Sequence, residues 1–443
     1  MRVRFAPSPT GYLHVGNARI AIANALFARR HGADFLLRID DTDAERSRPE
    51  YEQAIGHDLQ WLGIGWDTTF RQSANIAQYD AAADRLRASG RLYPCFESEE
   101  ELRFKREQRI KRGQAPVYDR GMLKLTAEQR TMAEANGKMP YWRFKLSDTT
   151  VEWTDLVLGR RGVKLPSVSD PVLIRADGSY LYTFTSVVDD IHSAVSHIIR
   201  GEDHVTNTGV QLDIISALGT NPSLMTFAHL PLLIDSDGGK LSKRLDGLSL
   251  RALRQDGMEP AAIVAYLARL GTSDSPEIAS LDTLAKTHDL SRVSRSPARF
   301  DVRQLLALNR RVLHGASFEQ VAARLPPAAT PAFWDAVRGN LDLLGEARHW
   351  WTVVAGDLIP PPAEGQADFY RDALAHLPAE PWDASTWASW TDALKAVTER
   401  RGRSLFRPLR LALTGEEHGP ELAALLPLIG RDRVATRLRL SAS

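Results

Sequence analysis

Cysteine is almost missing from this chain. One residue, Cys95, among 443 excludes an intrachain disulfide framework and any zinc site built on several thiolates. An excess of one charge is missing too: 56 Lys and Arg stand against 55 Asp and Glu, a formal net charge of +1. That balance excludes a histone-like polycation but leaves room for nucleic-acid binding through a local basic face. No apolar run reaches the ~18 residues of a membrane helix, and the opening MRVRFAPSPTG has no apolar stretch of the export-signal type. The expectation is a cytoplasmic protein, with an enzyme as the leading class. Hydrophobic residues make up 43% and charged residues 25%, as in ordinary globular chains, and at ~150 residues per domain the length accommodates about three domains.

What is present has a clear order. Arg2 to Phe5 alternate charged and apolar residues, and Pro7, Pro9 and Gly11 stop the run, which predicts a short strand entering a tight loop. From Gly16, apolar residues recur at helical spacing (Ala18, Ala21, Ile22, Ala25, Leu26), and Gly32 closes the pattern. Residues 34–39, DFLLRI, read as a buried strand, followed by the acidic turn Asp40 to Asp43. Strand, loop, helix, strand opens a parallel α/β sheet, in which ligands sit beyond the carboxyl ends of the strands. A mixed-charge helix is expected over 97–113. Short aromatic and β-branched runs between about 140 and 186 read as an inserted segment, with a return to the sheet at 196–200 and 227–234. Helical periodicity dominates after about 245, interrupted by Pro-rich joints at 326–331 and 358–364. Six of the ten tryptophans lie between 331 and 390, which predicts one helical core there.

Four constellations could carry chemistry. His14, Gly16 and Asn17 open the first helix, where unpaired N–H groups form an anion site and an imidazole can donate to phosphate oxygens. Taken alone, these residues describe an ordinary capped turn. Asp237 to Arg244, DGGKLSKR, puts two glycines before three cations (Lys240, Lys243, Arg244), a mobile basic loop able to close over a polyphosphate. Arg4, Asp40, Tyr182 and Arg200 stand at strand ends and suit a zwitterion with a second carboxylate. Arg400, Arg401, Arg403, Arg407 and Arg410 crowd around Phe406, and Arg431, Arg433, Arg437 and Arg439 follow. This density points to a polyanion contact as readily as to arginine-rich helix faces.

Together these stretches resemble the glutamyl-tRNA synthetases, class I aminoacyl-tRNA synthetases of bacterial type. FAPSPTGYLHVGNAR (5–19) resembles the HIGH motif and its approach, and FLLRIDDTDAERS (35–47) the strand and acidic turn after it. VVDDIHSAVSHIIRGEDHVTNTG (187–209) and FAHLPLLIDSDGGKLSKR (227–244) match long family stretches, the second ending in a KMSKS-type loop. RVSRSPARFDVRQLLALN (292–309) resembles the stem-contact region and GRSLFRPLRLALTG (402–415) the anticodon-binding part. The resemblance implies an α/β Rossmann-type catalytic domain (1–90 and 176–240) carrying an inserted α+β acceptor-binding segment (91–175). A KMSKS-type loop and helical stem-contact domain (241–315) and an all-α anticodon-binding region (316–443) follow.

It implies two-step, ATP-dependent ligation of L-glutamate to the 3′ end of tRNA-Glu through glutamyl-adenylate, with tRNA-Gln left open as a second acceptor. Arg4, Ala6, Ser8, Asp40, Tyr182, Ser186 and Arg200 would line the glutamate site. His14, Gly16, Asn17, Lys240, Ser242, Lys243 and Arg244 would handle ATP with its Mg²⁺, with His14, Lys240 and Lys243 as the catalytic groups. Arg403, Phe406, Arg407 and Arg410 would meet tRNA. The family's usual state implies a monomer. Several positions depart from the family pattern. Asp40 stands in place of Glu, Ser186 in place of a side-chain amide, and Asn17 in place of the last His of HIGH. One thiol, Cys95, stands where zinc-bearing relatives have two, so no zinc is expected. A catalytic-domain-only glutamyltransferase acting on an anticodon base is a poor fit to the long C-terminal half. A glutamine-specific synthetase fits Arg200 poorly, and a silent tRNA-binding paralogue fits the intact motifs poorly.

Overall fold

The computed structural model describes residues 1–235, 237–239, 248–361 and 365–442. The chain forms two compact units, Met1–Ala252 with Val264–Asp301, and Leu253–Ile263 with Val302–Ser443.

In the first unit, β1 (Arg2–Phe5), α1 (Val15–His31) and β2 (Asp34–Ile39) fall where the sequence pattern predicts them. α1 stops because Gly32 takes a left-handed backbone, φ 59°, and donates its N–H to the Ala28 carbonyl, a conformation that costs glycine nothing. The chain continues through α2 (Pro49–Trp61), β3 (Thr68–Arg71), α3 (Ile76–Ala88), β4 (Leu92–Cys95), α4 (Glu99–Lys111) and α5 (Ala127–Ala135). Then come β5 (Tyr141–Phe144), β6 (Thr150–Asp155), β7 (Gly159–Lys164), β8 (Val172–Ile174), α6 (Tyr182–His192) and β9 (His197–Gly201). α7 (Val205–Ala217), β10 (Thr226–Leu230), β11 (Leu233–Asp235) and, later, β12 (Ala298–Phe300) complete the set.

The main sheet runs β3-β2-β1-β9-β10-β6-β7. Its strands are parallel except β7, which returns antiparallel to β6. From β1 the chain steps outward through β2 to β3, whereas β9 leads the other way to β10. The gap between β1 and β9 is therefore a topological switch point, where α/β sheets open a crevice.

Three departures from the sequence pattern have physical reasons. Within 91–175, β4, β5 and β8 make a separate antiparallel sheet, but the β6–β7 hairpin joins the main sheet. Val151, Trp153 and Val163 pack against its core, so the return to the sheet comes earlier than 196. The aromatic run 179–184 divides, because Tyr182 already begins α6, whose Phe184, Val187 and Val188 bury one helical face. The apolar run 227–234 also divides at Pro231, which has no N–H to continue a ladder. β10 stays in the main sheet, and β11 pairs with β12 in a second, two-stranded sheet.

The second unit, Leu253–Ile263 with Val302–Ser443, is helical. Trp334, Trp350 and Trp390 are buried in one core, with Trp351, Trp382 and Trp387 packed against it, as their clustering in the sequence predicts. Among the described residues no helix is long and apolar enough to cross a membrane.

Candidate active site

A cavity of about 900 Å³ opens at the carboxyl ends of β1, β9 and β10, and its walls include Arg4, Ala6, Ser8, His14, Gly16, Asn17, Tyr182 and Arg200. The switch point and the sequence motifs therefore converge on one place.

The first helix is capped by the imidazole itself. His14 has extended backbone, and its Nδ1 accepts the N–H groups of Gly16 at 3.0 Å and Asn17 at 3.3 Å, while Asn17 Oδ1 accepts the His14 N–H at 3.2 Å. Burial lowers the His14 pKa, which keeps the ring neutral. With Nδ1 an acceptor, the proton resides on Nε2, and the ring is a neutral donor. Gly16 is demanded by this cap as much as by any ligand: a Cβ there would stand 2.8 Å from His14 Cε1 and 2.9 Å from Nδ1.

Across the cavity Arg200 is buried. Its guanidinium donates to Tyr182 Oη at 3.3 Å, Thr208 Oγ1 at 2.6 Å, Gln211 Oε1 at 2.7 Å and His229 Nε2 at 3.3 Å. All four partners are neutral, and burial lowers the Arg200 pKa. Among the described residues no carboxylate forms an ion pair with it. Asp190 acts on it only through space, and a buried cation with no carboxylate in contact is costly and favours an anion from outside. Arg4 differs in pairing with Asp190 at 3.2 Å. Asp190 also takes Arg38 at 2.8 Å, and Arg38 grips both oxygens of Asp40 at 2.6 and 3.1 Å.

Asp40 therefore faces Arg38 and does not line the cavity. Burial pushes its carboxyl up to about 6, and the Arg38 pair opposes that rise. Ser186 is likewise behind the wall. Its Oγ accepts the Gln211 amide at 2.7 Å, so a side-chain amide is supplied to this spot from α7. Gln211, Thr208, His229, His204 and Arg19 were all missed by the motif reading; His204 and Arg19 line the cavity. Burial lowers the His204 pKa to about 4. Arg19 donates to the carbonyls of Pro231 at 2.6 Å and Leu270 at 3.2 Å. For His204, Thr208 and Gln211 a signal was available in the largely polar stretch 200–211 that follows Arg200, whereas nothing local marks Arg19 or His229.

Lys240, Ser242, Lys243 and Arg244 lie outside the described residues. On the far side of that stretch, Ser249 forms an antiparallel bridge with His14, and the Leu250 N–H donates to the Leu13 carbonyl at 2.8 Å.

Around Cys95 the structure holds a hydrogen-bonded knot. Glu97 accepts Tyr118 Oη at 2.7 Å, Tyr141 Oη at 3.2 Å and Lys105 Nζ at 2.6 Å. The Cys95 thiol lies 3.7 Å from the Tyr118 hydroxyl, and burial pushes its pKa up to about 11. Among the described residues no cluster of His, Cys, Asp and Glu has metal-binding geometry.

In the helical unit, Arg403, Phe406, Arg407 and Arg410 fall on one face of the helix Arg403–Thr414, at successive three- and four-residue steps. Phe406 is exposed and packs beside Trp387, while Arg407 is bonded to Glu417. Arg437, by contrast, is buried and donates to the carbonyls of Leu413 and Val353, each at 2.6 Å, so it serves packing and no polyanion.

This constellation on this sheet is that of a class I synthetase. Residues 1–307 match the model for tRNA synthetases class I (E and Q), catalytic domain, and residues 362–442 match an anticodon binding domain. The glutamate–tRNA ligase 2 of Gluconacetobacter diazotrophicus is 63% identical over 442 residues, covering 100% of both chains. That of Granulibacter bethesdensis is 65% identical and covers 100% of this chain and 98% of its own. A solved glutamate–tRNA synthetase from Elizabethkingia anophelis aligns with a TM-score of 0.85 at 26% identity, over 100% of this chain and 99% of that one. The chain belongs to the glutamate–tRNA ligase family of class I tRNA synthetases.

Proposed function

We propose that this chain ligates L-glutamate to the 3′ end of tRNA-Glu in two steps, by way of glutamyl-adenylate, at the expense of ATP. The observation that carries this reading is Arg200, a buried guanidinium on the cavity wall whose hydrogen-bond partners are all neutral. Glutamine matches glutamate in shape, so selection must rest on charge, and an amide would leave Arg200 buried without an anion. Arg4, Ala6, Ser8 and Tyr182 share that wall and complete the amino-acid subsite. Asp40 and Ser186 act from behind it, holding Arg38 and Gln211.

ATP enters with its own Mg²⁺ as the substrate complex. Attack of the glutamate carboxylate on the α-phosphorus breaks the bond to pyrophosphate through a crowded, highly charged transition state. Donors that tighten there, with Mg²⁺ sharing the charge, lower the barrier. His14 Nε2–H supplies one such donor, and the N-terminus of α1 with Gly16 and Asn17 supplies its dipole. Lys240, Ser242, Lys243 and Arg244 are assigned to the ATP phosphates as well. Supporting that assignment, Ser249, six residues beyond Lys243, is bridged to His14.

In the same proposal, residues 91–175 carry the acceptor end, 241–315 the stem contacts, and Arg403, Phe406, Arg407 and Arg410 the anticodon contacts. The enzyme works as a cytoplasmic monomer without zinc. The test is pyrophosphate exchange and aminoacylation with glutamate and glutamine in parallel, on tRNA-Glu and tRNA-Gln side by side. Glutamate-dependent charging of tRNA-Glu is expected, and charging of tRNA-Gln decides the second acceptor. Absence of any tRNA-dependent exchange with glutamate would refute the reading.

A further inference from the structure

Behind Arg200 lies a pair of side chains that the reading above does not use. His229 Nε2 is 3.3 Å from Arg200 Nε, and His229 Nδ1 is 2.5 Å from Asp155 Oδ2. Both side chains are completely buried, and neither lines the cavity. Asp155 is the last residue of β6, the strand contributed by the hairpin that the sequence pattern assigns to the insertion. Its Oδ1 accepts the backbone N–H groups of Val157 at 3.0 Å, Leu158 at 2.9 Å and His229 at 3.1 Å. These bonds, with the imidazole, outweigh burial and hold the carboxyl below its ordinary range. Burial lowers the His229 pKa.

The proton order follows from this chemistry. An ionised Asp155 can only accept, so His229 Nδ1 carries a proton. A neutral ring then turns its Nε2 lone pair toward the Arg200 Nε–H at 3.3 Å and the Thr208 hydroxyl at 2.9 Å, and Thr208 itself accepts from the Arg200 guanidinium. A carboxylate at the same place would orient Arg200 too, but it would also cancel the charge that the cavity presents. A protonated imidazole would repel the guanidinium. A neutral ring held in one tautomer orients the cation and leaves it without a carboxylate in direct contact. We infer that Asp155 and His229 are positioning residues that keep Arg200 aimed and free of a direct carboxylate pair, so the choice of an acidic over a neutral side chain depends on two groups that never touch substrate.

This inference rests on the proposed function and is tested on the full-length enzyme with three variants. His229→Asn keeps an amide facing Asp155 but has no acceptor at the Nε2 position. His229→Gln restores an acceptor there. Asp155→Asn removes the charge that fixes the tautomer, and it carries the test should His229→Asn not fold. The readouts are KM and kcat for glutamate, glutamine and ATP, and the glutamate-to-glutamine ratio of kcat/KM. His229→Asn and Asp155→Asn should raise the KM for glutamate and lower that ratio, each by about tenfold, the scale of one lost hydrogen bond to a charged group. The KM for ATP should stay within about twofold, and His229→Gln should recover most of the ratio. An unchanged ratio in a folded variant, or equal losses with both amino acids, overturns the inference while the proposed function stands. Wild-type enzyme that uses neither amino acid overturns the proposed function and this inference with it.

Discussion

Arg200 and His14 show how two residues of ordinary type acquire their work from what surrounds them. Replacing Arg200 with Ala removes the buried charge and opens space at the cavity wall. We expect glutamate-dependent exchange to fall by at least about a hundredfold, the scale of ~3 kcal/mol for a charged hydrogen-bonded group. Binding of tRNA, measured on filters, should change little. Near wild-type use of glutamate would remove Arg200 from the recognition of the side chain. Gly16→Ala tests the other wall. The added methyl must displace the His14 ring, which removes the Nδ1 cap, worth ~1 kcal/mol, and moves the Nε2 donor. The rate of adenylate formation should drop by more than the small loss of stability explains, as read by single-turnover kinetics and thermal melts. Lys243→Ala should slow the same step with little effect on glutamate affinity, and an unchanged rate would deny Lys243 that role. Sequence alone made Arg4, His14, Gly16 and Arg200 legible, because each sits at the end of a patterned strand or the start of a patterned helix. It did not reveal Gln211, Thr208 or His229, whose importance comes from packing against Arg200 across breaks of 8 to 29 residues. Nor could it show that Asp40 and Ser186 turn away from the cavity, since that depends on Arg38 and Gln211 reaching them first.

Among the elements, local pattern was faithful wherever one face of the chain decided the outcome. α1, β1, β2 and α4 needed nothing from distant sequence. α4, with no buried residue, follows from its Ser98 cap and mixed charge. Pattern and structure part where an apolar run feeds two different partners. Residues 227–234 look continuous, yet Pro231 divides them between two sheets. The β6–β7 hairpin reads as part of an insertion, yet its alternation meets β10. Composition signalled the helical core better than periodicity did. Trp334 is completely buried, and its Nε1 donates to the Ala316 carbonyl at 2.9 Å. Trp334→Ala should cost ~3–5 kcal/mol, measured as a shift in the urea midpoint of the helical unit's transition. On the helix Arg403–Thr414, Arg403→Ala should weaken tRNA binding and lower the slope of log affinity against log salt by about one, as for one lost phosphate contact. A slope identical to wild type would detach Arg403 from the proposed interface.

Across the whole molecule, near-neutral net charge conceals strong local choices. Five histidines of the first unit, His14, His197, His204, His229 and His288, have pKa values lowered by burial. Each is depressed in the folded state, so its contribution is complete above the unfolded value near 6.5 and is lost as pH falls toward the folded one. Asp40 and Asp189, both raised by burial, act in the opposite sense but are fewer. Stability should therefore decline from pH 7 to pH 5, seen as a falling urea midpoint, whereas a flat or rising midpoint would mean that these rings are charged in the folded protein. In the proposed function one cavity reads charge at one end and activates a phosphate at the other. ATP–pyrophosphate exchange by the intact chain, with tRNA-Glu present and glutamate or glutamine as the amino acid, measures both ends together. Rapid exchange with glutamate, little with glutamine, and loss of that preference in Arg200→Ala is the predicted result; equal exchange with both amino acids in the unaltered enzyme would contradict it.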